Sequence, residues 1–445
     1  MLTTSILIAL VLTLGSFLIF AESRVTTTSE MNTVKEVQEQ WAVLVAGSKG
    51  WDNYRHQADV CHAYQVLHEH GVDDDNIVVM MYDDIAFSDQ NPTKGVIINT
   101  PKGPNVYKDV PKDYTGDNVN PQNFLAVLKG DQEAVKGKGS GKVIQSGPDD
   151  NIFIYFADHG ASGMVAFPSD FLDAQTLNSA LQDMHKNKRY KQMLFYLEAC
   201  ESGSMFEGLL PDDIGVLAVT ASNSTAPSFA CFYDEKLDTF LGDVFSVSWM
   251  KNADTEDIEK ETIEEQMDHI SNSTEVYSEI GHFGDDTISK DVVGVFQGLR
   301  NNERSVTVGD ITDAVVSHGV SMARLEKNRK KNSDKIHALR RGRQFVDTVM
   351  EEIVYKVLGE PDNVIDVFEE VHEIRDFDCF IDVARNFHEK CFNLGENGFA
   401  LRKIHILANL CGSEVLHVKN KADYSKKIMN VIHDVCTHPK MVEIN

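Results

Sequence analysis

After residue 20 the chain has no apolar run approaching the ~20 residues that span a bilayer, which argues against a later membrane span. It also lacks a glycine-rich phosphate loop, a CxxC pair, an internal repeat and any long low-complexity tract. Basic side chains are scarce in one part only. The net charge is -27 over 445 residues, yet residues 301–445 carry 21 Lys+Arg against 23 Asp+Glu, leaving 21 against 46 in the first 300. So acidic a body excludes nucleic acid as a natural partner. His68 and His70 fall on different helix faces with no ligand cluster beside them, so neither a metal nor any other cofactor is expected.

What is present begins with a charge-free stretch, Met1 to Phe20, followed by small residues at Ala21 and Ser23. That pattern predicts a secretory signal peptide over 1–21. The seven cysteines divide unevenly: Cys61, Cys200 and Cys231 early, Cys379, Cys391, Cys411 and Cys436 within the last 67 residues. Four in a short secreted segment predict two disulfides, with three possible connectivities. The odd total leaves a free thiol in an oxidising compartment, and a nucleophile has to stay free. Sequons at Asn223 and Asn272 fit the same compartment as glycosylation candidates.

Residues 41–46, 76–81, 151–157, 193–198 and 215–220 read as buried strands, being continuous β-rich runs too short for helices. Apolar positions three apart from Arg55 to His70, and the stretch Ala174–His185, read as helices. This alternation predicts an α/β fold, a mainly parallel sheet with helices on both faces. Beyond Gly298 turn signals thin out and helical periodicity dominates, which predicts an all-α C-terminal domain.

Two of the strands end on reactive side chains. Asn151-Ile-Phe-Ile-Tyr-Phe-Ala runs into Asp158-His159-Gly160, and Met193-Leu-Phe-Tyr-Leu-Glu-Ala runs into Cys200-Glu-Ser-Gly203. Parallel strands present their carboxyl ends on one rim, so His159 and Cys200 are expected to meet there. A thiolate attacks, and a nearby imidazole lowers the thiol pKa and returns the proton to the leaving amine. The pair predicts a cysteine nucleophile.

These phrases, with Gly50-Trp-Asp-Asn-Tyr-Arg-His-Gln-Ala-Asp59, Met80-Met-Tyr-Asp-Asp84, Val110-Pro-Lys-Asp-Tyr-Thr-Gly116 and Tyr233-Asp-Glu-Lys236, resemble the legumain family. These are caspase-like, clan CD asparaginyl endopeptidases, peptidase family C13. The resemblance is dense from about Gln40 to Gly298. It implies Cys200 as nucleophile, His159 as general acid/base and Asn53 as the residue orienting the imidazole. The N–H groups of Gly160 and Cys200 would form an oxyanion hole, worth ~3 kcal/mol per donor. Asp158 matches a position able to cyclise to a succinimide. Arg55, Glu198 and Asp243 match the S1 pocket; Ser228 is a further S1 candidate, in a loop where Ala226-Pro-Ser-Phe229 replaces the family's Glu-Ser-Ser-Tyr. An Asn side chain offers one acceptor and two donors, which a guanidinium and two carboxylates can meet. An Asp side chain would face like charge until acid protonates carboxyl groups.

The resemblance further implies a zymogen with a propeptide at 22–36, a catalytic domain at 37–300, an activation peptide at 301–332 and a helical prodomain at 333–445. It implies the pairings Cys379–Cys411 and Cys391–Cys436, and autocleavage after Asn328 or Asn332, with Asn301 and Asn302 as alternatives and Asn32 for N-terminal trimming. Partners implied are protein and peptide substrates, the chain's own prodomain as intramolecular inhibitor, and cystatin-type inhibitors. The compartment implied is an acidic lysosome- or vacuole-like one, or the exterior. The basic cluster from Arg324 to Arg343 suggests a latch on the acidic half that loosens as carboxylates protonate. Two other readings use the same residues: a peptide ligase on the same acyl-enzyme, or a binding module on an inactive protease fold.

Overall fold

The computed structural model describes residues 38–299, 309–359, 364–412 and 421–436. In chain order the elements are β1 (Gln40–Ala46), α1 (Tyr54–Glu69), β2 (Ile77–Met80), α2 (Pro121–Lys129), β3 (Asn151–Ala157), β4 (Gly160–Ala161), β5 (Met164–Phe167) and β6 (Asp170–Asp173). Next come α3 (Ala174–Lys186), β7 (Gln192–Glu198), β8 (Val216–Thr220), β9 (Phe229–Asp234), β10 (Thr239–Asp243), α4 (Val244–Thr255), α5 (Ile263–Thr274), β11 (Gly281–Gly284) and α6 (Gly294–Gln297). The C-terminal part adds β12 (Val315–Val316), α7 (Val320–Lys327), α8 (Arg329–Leu358), α9 (Val364–Glu369), α10 (Phe377–Lys390), α11 (Gly398–Arg402), α12 (His405–Gly412) and α13 (Lys421–Val435).

The main sheet has the order β11-β8-β7-β3-β1-β2. Every pairing in it is parallel except β11 with β8. The strand period of two sends alternate side chains to opposite faces. Leu44, Phe153, Tyr155 and Tyr196 enter one core under α1 and α4, while Val43, Ile154, Phe156 and Phe195 enter another under α2 and α3. Burial on both faces is why these strands read as unbroken apolar runs. Two smaller sheets, β4-β5-β6 and β10-β9-β12, are hairpin-built and antiparallel.

The C-terminal helices have a core of their own, built on Val346, Met350, Phe380, Phe387, Leu407 and Ile428. That core continues without a break into Ala161, Met164, Ala166 and Phe171 of the β4-β5-β6 hairpins. Arg385 of α10 stacks its guanidinium 3.7 Å over the Phe171 ring and pairs with Asp170. Cys379 pairs with Cys411 and Cys391 with Cys436, tying α10 to α12 and to the end of α13. Among the described residues no helix is long and apolar enough to cross a membrane.

Candidate active site

Sheet register brings the candidate catalytic groups to one rim. Ala46 pairs with Ala157 and Ala157 with Glu198, so β1, β3 and β7 end level. The chain leaves β1 toward Asn53, β3 toward His159 and β7 toward Cys200. His159 Nε2 lies 2.8 Å from Asn53 Oδ1. Asn53 donates its own Nδ2 to the Lys49 carbonyl at 2.9 Å, which orients the amide with its oxygen toward the ring. The imidazole therefore donates through Nε2, leaving Nδ1 as the basic nitrogen. Cys200 is buried, and its Sγ accepts the Ser228 N–H at 3.3 Å. Gly160 is glycine for reasons of space: a Cβ there would lie 2.3 Å from the Cys200 carbonyl oxygen and 2.9 Å from Ala199 Cβ.

Beside this pair lies a buried charged pocket. Arg55, in the first turn of α1, has no exposed surface and donates Nε to Asp243 Oδ1 at 2.8 Å. Glu198, the last residue of β7, accepts the Ser246 N–H and hydroxyl through Oε2 at 3.1 and 2.9 Å. Three polar atoms here lack a hydrogen bond: Arg55 Nη2, Glu198 Oε1 and Asp243 Oδ2. Burial pushes the Glu198 carboxyl up, and neighbouring Asp243 adds to the shift. Burial also raises Asp243, with Arg55 pulling back. Asp59, one helical turn after Arg55, is raised by burial and then by Asp243. One guanidinium, paired with Asp243, thus stands against three mutually coupled buried carboxyl groups, and the surplus is met by protons.

His56 sits between the two halves of the site. Its Nδ1 is 2.6 Å from Ser48 Oγ and 3.3 Å from Asp158 Oδ1, its Nε2 is 3.6 Å from Asp243 Oδ2, and its ring meets that of His159 edge-on at 5.0 Å. The ligand atoms of His56, Asp158 and His159 lie within 4.8 Å of one another, a spacing also compatible with a metal ion. Asp158 is wholly buried and its carboxyl is pushed well up by burial. Sequence reasoning missed His56, Asp59 and Ser246. The signal for Asp59 was its position four residues after Arg55, on the same helix face.

C-terminal elements cover this site. Ser317 and His318 line a residual cavity of about 30 Å³ together with Asn53 and His159. Arg343 of α8 donates to the His318 carbonyl at 3.4 Å. Under this cover burial favours the neutral forms of both Cys200 and His159. Burial pushes the Cys200 thiol up to about 12, with Glu201 adding to it, and burial followed by Arg55 and His318 lowers His159 to about 3.

Other predicted residues fall elsewhere. Asn328 is exposed in the break between α7 and α8, whereas Asn332 is buried in the first turn of α8 with its amide on the Leu325 carbonyl. Asn223 is half-buried and its Oδ1 accepts the Thr225 and Ala226 N–H groups, while Asn272 is exposed on α5. The segment 1–21, Asn32, Asn301 and Asn302 lie outside the described residues.

The basic cluster touches the acidic half at one end and pairs internally along the rest. Among the described residues Arg329 and Arg340 pair with Glu326 of the same segment, and Lys327 pairs with Asp313. Arg324, the first residue of the cluster, reaches Asp52 at 2.8 Å and Asp238 at 3.6 Å. The cluster is spread along a solvated helix, where its charges find near neighbours first.

Residues 40–299 match the model of the Peptidase C13 family, and residues 334–436 match that of the legumain prodomain. The legumain of Rattus norvegicus is 45% identical over 387 residues, covering 84% of this chain and 88% of its own. That of Mus musculus is 46% identical with the same coverage. The vacuolar-processing enzyme delta-isozyme of Arabidopsis thaliana is 38% identical over 444 residues, covering 90% of this chain and 94% of its own.

Proposed function

Because the chain belongs to the peptidase C13 family and is a cysteine-type endopeptidase carrying its own prodomain, we propose that it cleaves after asparagine and frees itself in acid. The observation that carries the specificity is the trio of unpartnered atoms in the pocket beside Cys200. Arg55 Nη2 needs an acceptor; Glu198 Oε1 and Asp243 Oδ2 accept. A carboxamide supplies one acceptor and two donors, so it satisfies all three.

In the proposed reaction His159 Nδ1 takes the Cys200 proton and the thiolate attacks the carbonyl carbon of the P1 residue. The N–H groups of Gly160 and Cys200 receive the oxyanion, and His159 passes its proton to the leaving amine. Water then cleaves the thioester. Asn53 holds the ring so that Nδ1 stays aimed at sulfur. An aspartate at P1 is an anion near pH 6 and meets Asp243; close to pH 4 its own carboxyl begins to protonate and it becomes nearly isosteric with asparagine. Preference is therefore expected to be strict for Asn near pH 6, with Asp cleavage rising near pH 4. The test is a shift of the full-length protein from pH 7.5 to 4.5, following mass and cleavage of peptides with Asn, Asp or Ala at P1. Cys200→Ala is the control, expected to show neither self-processing nor turnover. Equal Asn and Asp rates at pH 6 would overturn the pocket assignment.

Asn328, exposed at the one-residue break between α7 and α8, is the more accessible of the two described self-cleavage candidates, Asn332 being buried. For acid release we look to histidines rather than to the basic stretch. Burial, then Arg402 and Arg343, lower His318 to about 4, against about 6.5 in an unperturbed histidine. Docking thus favours neutral His318: its contribution is complete above about pH 6.5 and is lost as pH falls toward 4. His159 acts in the same sense. Glu201 acts in the opposite sense, its carboxyl raised to about 8 by burial and partly offset by Arg402. Asp52 lines the same cavity as His318 and favours its charged form. His318→Gln is expected to move the midpoint of activation to lower pH by roughly half a unit or more. An unmoved midpoint in a pH series of prodomain loss would remove His318 from the release step. An acidic compartment of the secretory route fits this behaviour.

A further inference from the structure

Helix α1 carries a row of ionisable side chains through the interior. Arg55, Asp59 and His62 stand at i, i+4 and i+7, the spacing of one helix face, and all three are buried. Such groups are costly to bury unless each finds a partner. Arg55 holds Asp243 in the pocket already described. Asp59 and His62 are joined by Asn99, a buried residue in the loop between β2 and α2. Asn99 Nδ2 donates to Asp59 Oδ1 at 2.6 Å and to the Leu241 carbonyl at 2.9 Å. Those two acceptors fix the amide, so its oxygen faces His62 and can only accept. His62 Nδ1, 2.8 Å from that oxygen, is therefore the donor. Across the ring, Nε2 lies 3.0 Å from Oδ2 of buried Asp254 in α4, which holds the imidazole from the other side.

The far end of this chain of contacts meets the last three residues of β10. Leu241 gives its carbonyl to Asn99, and Asp243 gives its N–H to Asp59 Oδ2 at 3.2 Å. Between them, a Cβ at Gly242 would lie 2.9 Å from Asn99 Nδ2 and 3.0 Å from Asp59 Oδ1, so both side chains press directly on the strand. Asp243 ends that strand. Its Oδ1 takes the Arg55 Nε–H, and its Oδ2 is unpartnered. We propose that His62 is a positioning residue for the specificity pocket: by donating to Asn99 it holds Asn99 and Asp59 against residues 241–243, and so fixes where Asp243 presents its free oxygen.

The group served by that oxygen is the amide nitrogen of a P1 asparagine, so the inference rests on the Asn reading of the pocket. Binding groups work only when the side chains behind them lock their place, and a misplacement of about 1 Å costs about a hundredfold in rate. The nucleophile and base are held by other contacts, Cys200 by the Ser228 N–H and His159 by Asn53. Pocket and catalytic pair can therefore be perturbed separately.

Three substitutions isolate the donated hydrogen bond. His62→Asn places an amide nitrogen near Nδ1, His62→Gln places one near Nε2, and His62→Leu fills the space without a donor. Each full-length variant is processed in acid by tagged wild-type enzyme, which is then removed. Turnover is read on a peptide with Asn at P1. The catalytic pair is read separately, as the rate of Cys200 alkylation by iodoacetamide, which has no P1 group, followed by peptide mass. His62→Leu and His62→Gln are expected to lose roughly tenfold to a hundredfold in kcat/KM, with alkylation within about twofold of wild type. His62→Asn is expected to recover most of the turnover. Unchanged turnover in His62→Leu and His62→Gln would overturn the proposal. So would alkylation that falls as far as turnover, which would mean a general loosening of the site, or His62→Asn no better than His62→Gln. If His62→Leu does not fold, the comparison of His62→Asn with His62→Gln decides alone, since both keep a polar side chain. A P1 panel on wild type separates the two readings. If asparagine is preferred and the His62 series is flat, the positioning role is wrong and the Asn reading stands. If the panel selects another residue, the Asn reading is wrong, and the series is scored on that residue's peptide with the same outcomes.

Discussion

Gly160→Ala is expected to lower kcat/KM toward an Asn peptide by on the order of a thousandfold and to stop self-processing. The added methyl has nowhere to go: its carbon would sit 2.3 Å from the Cys200 carbonyl oxygen and 2.9 Å from Ala199 Cβ, and backbone is the least yielding neighbour. Relief requires the β3 exit or the β7 exit to move, and those two exits carry His159 and Cys200. The N–H of residue 160 is also an oxyanion donor in the proposed mechanism, and loss of one such donor costs about 10²–10³ in rate. A displacement of about 1 Å between nucleophile and base adds to that. Overpacking of this kind destabilises by about 1–3 kcal/mol, a smaller effect than the one on catalysis. Kinetics and a thermal melt on the same preparation separate the two. Near-normal turnover in a folded Gly160→Ala protein would mean that the β3 and β7 exits can separate without consequence.

Arg55→Met is expected to cost Asn cleavage about a thousandfold or more and to lower stability by about 3–5 kcal/mol. Arg55 is the cation paired with Asp243, the carboxyl to which buried Asp59 and Glu198 are coupled, and none of its side chain is exposed. Methionine keeps the length and removes the charge, leaving three buried carboxyl groups that must bind protons to remain inside. Their folded-state pKa values, already raised by burial, rise further. A carboxyl raised on folding stabilises at low pH and loses that contribution as pH rises through its unfolded and folded values. The Tm deficit of Arg55→Met relative to wild type should therefore be larger at pH 7 than at pH 5. A deficit independent of pH would point to lost packing alone. Should the methionine variant not accumulate, Arg55→Lys keeps the charge but not the planar fork. It should fold, with Asn cleavage still impaired.

The parts of this fold that were plain in the sequence are those buried on both faces. β1, β3 and β7 are continuous apolar runs because helices cover each side, and the reactive residues stand where those runs stop. His159 and Cys200 could be placed on one rim from that pattern alone. Asn53, Arg55 and Asp243 could not, since each lies on a different element and they converge only through the packing of α1 against β10; they were accessible through resemblance. The hairpins β4-β5-β6 and β9-β10 were missed. Their strands are two to six residues long, too short for a run or a period to stand out. β11, Gly-His-Phe-Gly, has little strand character and is held by pairing with β8. Ser317 and His318 carry no motif. They matter because β9 offers an edge beside the nucleophile, a fact of three dimensions. The basic cluster meets the acidic half through Arg324 while Arg329 and Arg340 pair within the segment, because net charge per segment does not say where each charge finds its nearest partner.

A cut at Asn328 would fall between α7 and α8, so it would separate α8 through α13 from the enzyme but leave β12 and Ser317 covalently attached. The two halves of the cover would then obey different rate laws. The helical cap would become a dissolved second component, able to return only by collision, so its grip would weaken with dilution. The strand would remain an intramolecular competitor at an effective concentration in the millimolar range, which no dilution changes. Enzyme cut at Asn328 alone would thus work with its own fixed dose of inhibitor, raising the apparent KM until a second cut upstream of residue 309 discarded the strand.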